Sequence, residues 1–415
     1  MTATIPNPSA DRELRERASR VIPGGVWGHQ RAAVQPRGYP QFFSGGNGAR
    51  VRDVDGREYI DFMCSWGPIV LGHRHPEVEE AVRKQAEAGD CLNGPTPHVV
   101  ELAERLTSLL PHADWALFQK NGTDATTSAV TVARAGTGRR KVLVARGAYH
   151  GAVPWCSPSI VGVTAEDRAH IHYFDYNDVD SLHAAAEEAG DLAAIMVSAF
   201  RHDQGKTQAL PTPEFATAAR NICDARDAAL ILDDVRAGFR LSLQGSWAAL
   251  GIQPDLSCFS KAIANGHPLA ALTGGDRFRE AASSVFLTGS FWYAGAPMAA
   301  SLATLSVLEQ IDGPRLMREM GERLRAGLAE QAERHGFEIV QSGPPAMPLL
   351  EFVADQDFQL AERFCQEALA RGVYLHHRHN MFLSTAHTAE VIDLALDATE
   401  GAFRALAADR RADHG

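Results

Sequence analysis

The chain is short of positive charge. Forty Lys and Arg stand against 51 Asp and Glu, a net −11. Phosphate contacts need clustered cations, so a nucleic-acid surface is not expected. Long apolar runs are missing too. No stretch approaches the roughly 18 uninterrupted apolar residues of a membrane span. Cysteine is sparse: Cys64, Cys91, Cys156, Cys223, Cys258 and Cys365 form no CxxC pair. That spacing suits neither a disulfide framework nor a zinc site, and reads as reduced thiols in a cytoplasmic protein. Met1-Thr2-Ala3-Thr4-Ile5-Pro6 lacks the basic and apolar regions of a secretion signal, so none is expected. No internal repeat and no low-complexity tract is present.

What is there is globular. The 415 residues are 45% hydrophobic and 22% charged, enough for a large core and two or three domains. Residues 1–70 read as an arm plus a hairpin around Asp55-Gly56. Helical periodicity covers 77–88 and 98–109. From about 114 to 305, apolar strands at 115–119, 141–145, 192–199 and 229–235 alternate with helices such as 123–134 and 213–226. That alternation predicts an α/β domain over 71–305, with a mostly parallel sheet covered on both faces. Residues 306–415 read as a smaller α+β domain. Its elements are a helix at 313–335, a strand pair near 337–340 and 349–352, a helix at 358–371, a strand at 372–375 and a helix at 388–407. The N-terminal hairpin is expected to pack onto it.

Ligands bind beyond the carboxyl ends of strands in such sheets, and the chemically suggestive residues sit there. Asp233 ends the run Leu230-Ile231-Leu232-Asp233. Lys261, 28 residues on, follows another apolar run in Cys258-Phe259-Ser260-Lys261. A Lys amine that links to an aldehyde and an Asp that holds a proton on a pyridine nitrogen point to pyridoxal phosphate (PLP). Other parts fit the same cofactor. Asn121-Gly122-Thr123 lies at a strand-to-helix turn, where free amides bind a phosphate. Tyr149 supplies a flat ring for stacking. Thr288-Gly289-Ser290-Phe291 offers a hydroxyl. Taken singly, each of these reads equally well as a cap, a core aromatic or a turn.

In order along the chain stand Ile22-Pro23-Gly24-Gly25-Val26, Ser65-Trp66-Gly67-Pro68, Leu71-Gly72-His73-Arg74-His75-Pro76, Gly122-Thr123-Asp124-Ala125 and Tyr149-His150-Gly151. Asp233-Asp234-Val235-Arg236-Ala237-Gly238-Phe239-Arg240, Ser260-Lys261 and Phe382-Leu383-Ser384-Thr385-Ala386-His387-Thr388 complete the series. By these motifs the sequence resembles the class III, subgroup II, fold-type I PLP-dependent aminotransferases. Within them it is most similar to glutamate-1-semialdehyde 2,1-aminomutase and its aminotransferase relatives. The resemblance implies a Schiff base on Lys261, which would also shuttle the proton. Asp233 would pair with the pyridine nitrogen and Tyr149 would stack on the ring. Asn121, Gly122 and Thr123 would bind the phosphate. Ser290 would reach the phosphate of the other subunit's cofactor, which implies a homodimer with shared sites.

Three arginines are candidates for a substrate carboxylate, which Arg grips bidentately. Arg31 matches the aminomutase's carboxylate-binding Arg. Arg378 matches an Arg of relatives that act on β-amino acids or D-phenylglycine. Arg236 stands where most of the class has Gln or Met beside the cofactor's 3′-oxygen. The class usually has Glu-Pro where this chain has Ser198-Ala199, which leaves Arg236 expected to be an uncompensated cation near the ring. Trp66 is a further candidate substrate contact. The segment after Gly151 is shorter than the aminomutase's lid. His376, His377 and His379 read as polar surroundings of Arg378, not as a metal site. The expected activity is an aminotransferase that moves an amine, through pyridoxamine phosphate, from a donor to a carboxylate-bearing keto acceptor. The alternatives are the aminomutase itself and an epimerase or decarboxylase on the same scaffold.

Overall fold

Seven strands form the larger sheet of this computed structural model, which describes residues 9–203 and 206–412. The hexapeptide read above for a secretion signal lies outside the described residues. The described chain divides into two units. One is built from residues within Met1–Cys64, Gly72–His75 and Glu319–Gly415, the other from Ser65–Leu71 and Pro76–Arg318.

In the first unit, β1 (Phe43–Asn47), β2 (Arg50–Asp53) and β3 (Glu58–Asp61) form an antiparallel meander. The expected turn at Asp55-Gly56 joins β2 to β3, and Gly56 supplies φ 87°. The β11 (Ile339–Ser342) and β12 (Leu349–Phe352) strands pair antiparallel. The last strand, β13 (Val373–Tyr374), runs parallel to β3, with Val373 opposite Ile60. The two ends of the chain therefore share one sheet, as expected. The helices Gln359–Ala370 and Ala389–Ala412 pack together over it.

The second unit holds β4 (Trp115–Gln119), β5 (Lys141–Ala145), β6 (Ile171–Phe174), β7 (Leu192–Ser198), β8 (Ala229–Asp233), β9 (Leu256–Phe259) and β10 (Ala270–Gly274). Their order is β4-β10-β9-β8-β7-β5-β6. The pairs β5/β6, β5/β7, β7/β8 and β8/β9 are parallel, while β10 runs antiparallel to both its neighbours. All seven residues of β7 and all five of β8 are buried. That continuous apolar character marks strands covered on both faces. One core packs Phe215, Leu182 and Trp247 on one side of the sheet. The other packs Val130, Val132 and Phe278, from the helices Gly122–Thr137 and Arg279–Ser284 and the turn before the latter, on the opposite side. Among the described residues no helix is long and apolar enough to cross a membrane.

Candidate active site

A cavity of about 290 Å³ opens wholly within the second unit. Much of its wall comes from strand ends and the segments that follow them. Lys120 to Thr123 come after β4, and Tyr149, His150 and Gly151 after β5. His202 comes after β7, Asp233, Val235 and Arg236 from the end of β8, and Ser260 and Lys261 after β9. The sequence-predicted residues Lys261, Asp233, Tyr149, Asn121, Gly122, Thr123 and Arg236 thus share one cavity.

One end of the cavity is built by the N-terminus of the helix Gly122–Thr137. Asn121 is its N-cap, and the Asp124 carboxylate accepts a hydrogen bond from Asn121 N at 2.8 Å. That arrangement satisfies the cap and leaves the first-turn amides for an anion. Gly122 has no room for a side chain: a Cβ there would lie 2.6 Å from Val235 Cγ1. Gly151, at φ 133°, would press a Cβ to 2.7 Å from Thr123 Oγ1. Both glycines let three separate segments meet at this end of the cavity.

Asp233 is 7% exposed. Its Oδ2 lies 2.7 Å from His150 Nδ1, and its Oδ1 accepts from Val235 N at 3.1 Å. Register carries Asp233 opposite Ser198, the last residue of β7. Thr126 Oγ1 donates to the His150 carbonyl at 2.6 Å and ties the histidine to the helix Gly122–Thr137. In the sequence His150 is only the middle of a Tyr-His-Gly turn. Its partner is 83 residues away, and no local signal announces that pairing.

Lys261 has φ 46°, a left-handed conformation uncommon for a Lys and typical of residues held for a purpose. Burial brings its amine down to about 7, helped by the nearby cations Arg236 and Arg240 and opposed by Asp233. A substantial share of the amine is therefore neutral near pH 7 and able to act as a nucleophile or base. Arg236 is also lowered by burial, to about 10, and stays charged at neutral pH. The expectation of an uncompensated Arg236 is corrected. The carboxylates of Asp233 and Asp203 both act on its charge.

The residues present fit PLP. A buried carboxylate open to a cavity requires a positive partner, and a pyridinium N–H is one. A poised amine faces the same space, with an N-terminal amide cradle at the other end and the Tyr149 ring on the wall. Val235, overlooked in the sequence, lines the cavity as well. Ser290 is exposed and stands outside this cavity, on a segment that also exposes Phe286 and Phe291. Trp66 sits in a turn at φ 66° and is likewise not part of the wall. Arg31 and Arg378 belong to the other unit. There the Arg378 guanidinium lies 4.6 Å from the centre of the Phe358 ring.

Comparison with known proteins gives the same answer. The class III aminotransferase family model matches residues 33–404. The chain is 47% identical over 404 residues to the aminopentol aminotransferase of Sphingopyxis macrogoltabida, covering 97% of this chain and 96% of that protein. It is 34% identical over 392 residues to the 3-aminobutyryl-CoA aminotransferase of Cloacimonas acidaminovorans (strain Evry), covering 93% and 94%. The solved PLP internal aldimine form of the FumI protein of Sphingopyxis sp. MTA144 superposes with a TM-score of 0.95 at 47% identity, covering 97% of each chain. The chain belongs to the class III aminotransferases and is a PLP-dependent aminotransferase.

Proposed function

We propose that this aminotransferase takes its amine from a donor that is not a standard α-amino acid and passes it to a carboxylate-bearing keto acceptor. The observation that carries the chemistry is the shared cavity of Lys261 and Asp233. When bound, PLP supplies an aldehyde for the donor's amine and a ring that accepts electrons from the reacting carbon. Lys261 Nζ would move the proton from the donor's carbon to the cofactor's C4′ in the first half-reaction, and from C4′ to the acceptor's carbon in the second. Asp233, held by His150 and Val235 N, keeps a proton on the ring nitrogen. Asn121, Gly122 and Thr123 would hold the phosphate, the last two with main-chain amides. Tyr149 covers the ring.

Two features support the donor class. An aminopentol is by its name an amine bearing several hydroxyls, and 3-aminobutyryl-CoA carries its amine on carbon three. Neither is an α-amino acid. Arg236, on the cavity wall, is the candidate that grips the acceptor's carboxylate; Arg31, Arg378 and Trp66 are candidates on the resemblance alone. A homodimer completes the reading, with exposed Ser290 reaching the phosphate in the neighbouring subunit.

The test is a single-turnover absorbance scan of purified holoenzyme. The donors are α-amino acids of both hands, β-amino acids, aromatic amines and polyhydroxylated amines. The proposal expects a change in cofactor absorbance and one equivalent of carbonyl product with a β-amino or hydroxylated amine. Rapid turnover with α-amino acids alone rejects the donor assignment.

A further inference from the structure

One side of the cavity has no role in the account so far. A PLP ring held by Asp233 at its nitrogen and Lys261 at its aldehyde has two long edges. One carries the phosphate arm and is taken by Asn121 to Thr123. The other carries a methyl group and a phenolic oxygen, and something on the remaining wall must meet that oxygen.

The polar lining residues not yet used narrow the choice. Ser260 Oγ already donates to the Leu269 carbonyl at 2.9 Å. Lys120 Nζ is buried away from the open space, with Asp90 the first counter-charge acting on it. His267 Nε2 lies 3.8 Å from Glu79. His202 and Arg236 remain, and Arg236 is already a candidate for the acceptor's carboxylate.

The backbone around His202 is anchored. Arg201 N donates to the Ala209 carbonyl at 2.8 Å, and Ala209 N donates back at 3.1 Å. The His202 ring stands edge-on to Phe200, with centres 5.2 Å apart at 76°. The next residue, Asp203, packs under Gly147, where a Cβ would fall 2.8 Å from Asp203 Oδ2. The residue therefore sits between the turn after β5 and the end of β8, the two segments that bring Tyr149 and Asp233.

We infer that His202 donates a hydrogen bond to the phenolic oxygen of the bound cofactor and so positions the ring edge opposite the phosphate arm. The inference rests on the PLP site described above. Burial and the cations Arg236 and Lys261 hold this imidazole well below its usual range. It is then a neutral ring, and adds no further charge to a cavity that already contains Arg236.

The experiment is an affinity measurement, not an activity assay. Apoenzyme is titrated with PLP and with 3-deoxypyridoxal phosphate, which lacks only the phenolic oxygen. Wild type, His202→Leu and His202→Asn are compared, each checked for an unchanged melting temperature as apoenzyme. Loss of one such hydrogen bond is expected to weaken PLP binding to His202→Leu by about tenfold. Binding of the deoxy analogue should be the same in His202→Leu and wild type. His202→Asn, which keeps an N–H donor, should recover most of the affinity. An equal loss for both ligands, or no loss for either, overturns the assignment. A wild type that binds neither ligand overturns the PLP site itself, a result distinct from either of these.

Discussion

His150 Nδ1 and Asp233 Oδ2 are 2.7 Å apart, in a pair that is almost wholly enclosed. The two residues come from the segments at the ends of different strands, and the bond, with that from Val235 N to Oδ1, sets the orientation of the carboxylate. Removing the imidazole frees the carboxylate to turn and strips it of a buried partner. His150→Phe is expected to lower kcat about 10- to 100-fold, the loss of one hydrogen bond to a charged group. His150→Asn should lose less. Steady-state kinetics of the two variants, with cofactor saturating, checks the order.

The depressed Lys261 amine makes apoenzyme stability depend on pH. The folded value is about 7 and the unfolded value about 10.4. Between these limits the unfolded chain binds a proton that the folded one does not, so stability rises with pH. Wild-type apoenzyme should therefore gain on Lys261→Met as pH climbs from about 7 to about 10. The slope is at most about 1.4 kcal/mol per pH unit. Urea midpoints of both proteins across that range report it. A difference that stays flat with pH contradicts a lowered Lys261.

Gly122→Ala places a methyl 2.6 Å from Val235 Cγ1. Overpacking of this kind costs about 1–3 kcal/mol, and here it pushes on both the phosphate-end amides and the Asp233 segment. PLP affinity should fall by roughly tenfold or more at the upper half of that range. Val235→Ala in the same chain makes room and should restore part of it. Equilibrium titration of the single and double variants tests both statements.

Arg240 is completely buried. Its Nη2 donates to the Gly67 carbonyl at 2.7 Å and to the Ile69 carbonyl at 3.1 Å, tying that segment to the end of β8. Arg240→Ala leaves two buried carbonyls short of a donor and opens a void. A loss of about 3 kcal/mol is expected. Arg240→Lys should not rescue it fully, since a single ammonium cannot reproduce the planar fork. Chemical denaturation measures the effect.

The sequence displayed those parts of the site whose signals are local. Asp233 and Lys261 stand out because each closes a buried apolar run, and Asn121-Gly122-Thr123 because a strand meets a helix cap there. Strands β4 and β5 were legible to the residue for the same reason. What was not legible depends on pairing across long separations. The β6 strand, Ile171-His172-Tyr173-Phe174, is only four residues long, too short a run to stand out from its surroundings. The reversed direction of β10 has no mark in its own residues, because an apolar run reads alike both ways. His150 and His202 carry no periodicity, and only the fold places them on the cavity wall.

The most direct test of the central claim maps the lysine that holds the cofactor. Holoenzyme is reduced with borohydride, digested, and its peptides are weighed. The account predicts a single phosphopyridoxyl mass increment, on Lys261. An increment on another lysine, or none on an enzyme that still turns over, contradicts it.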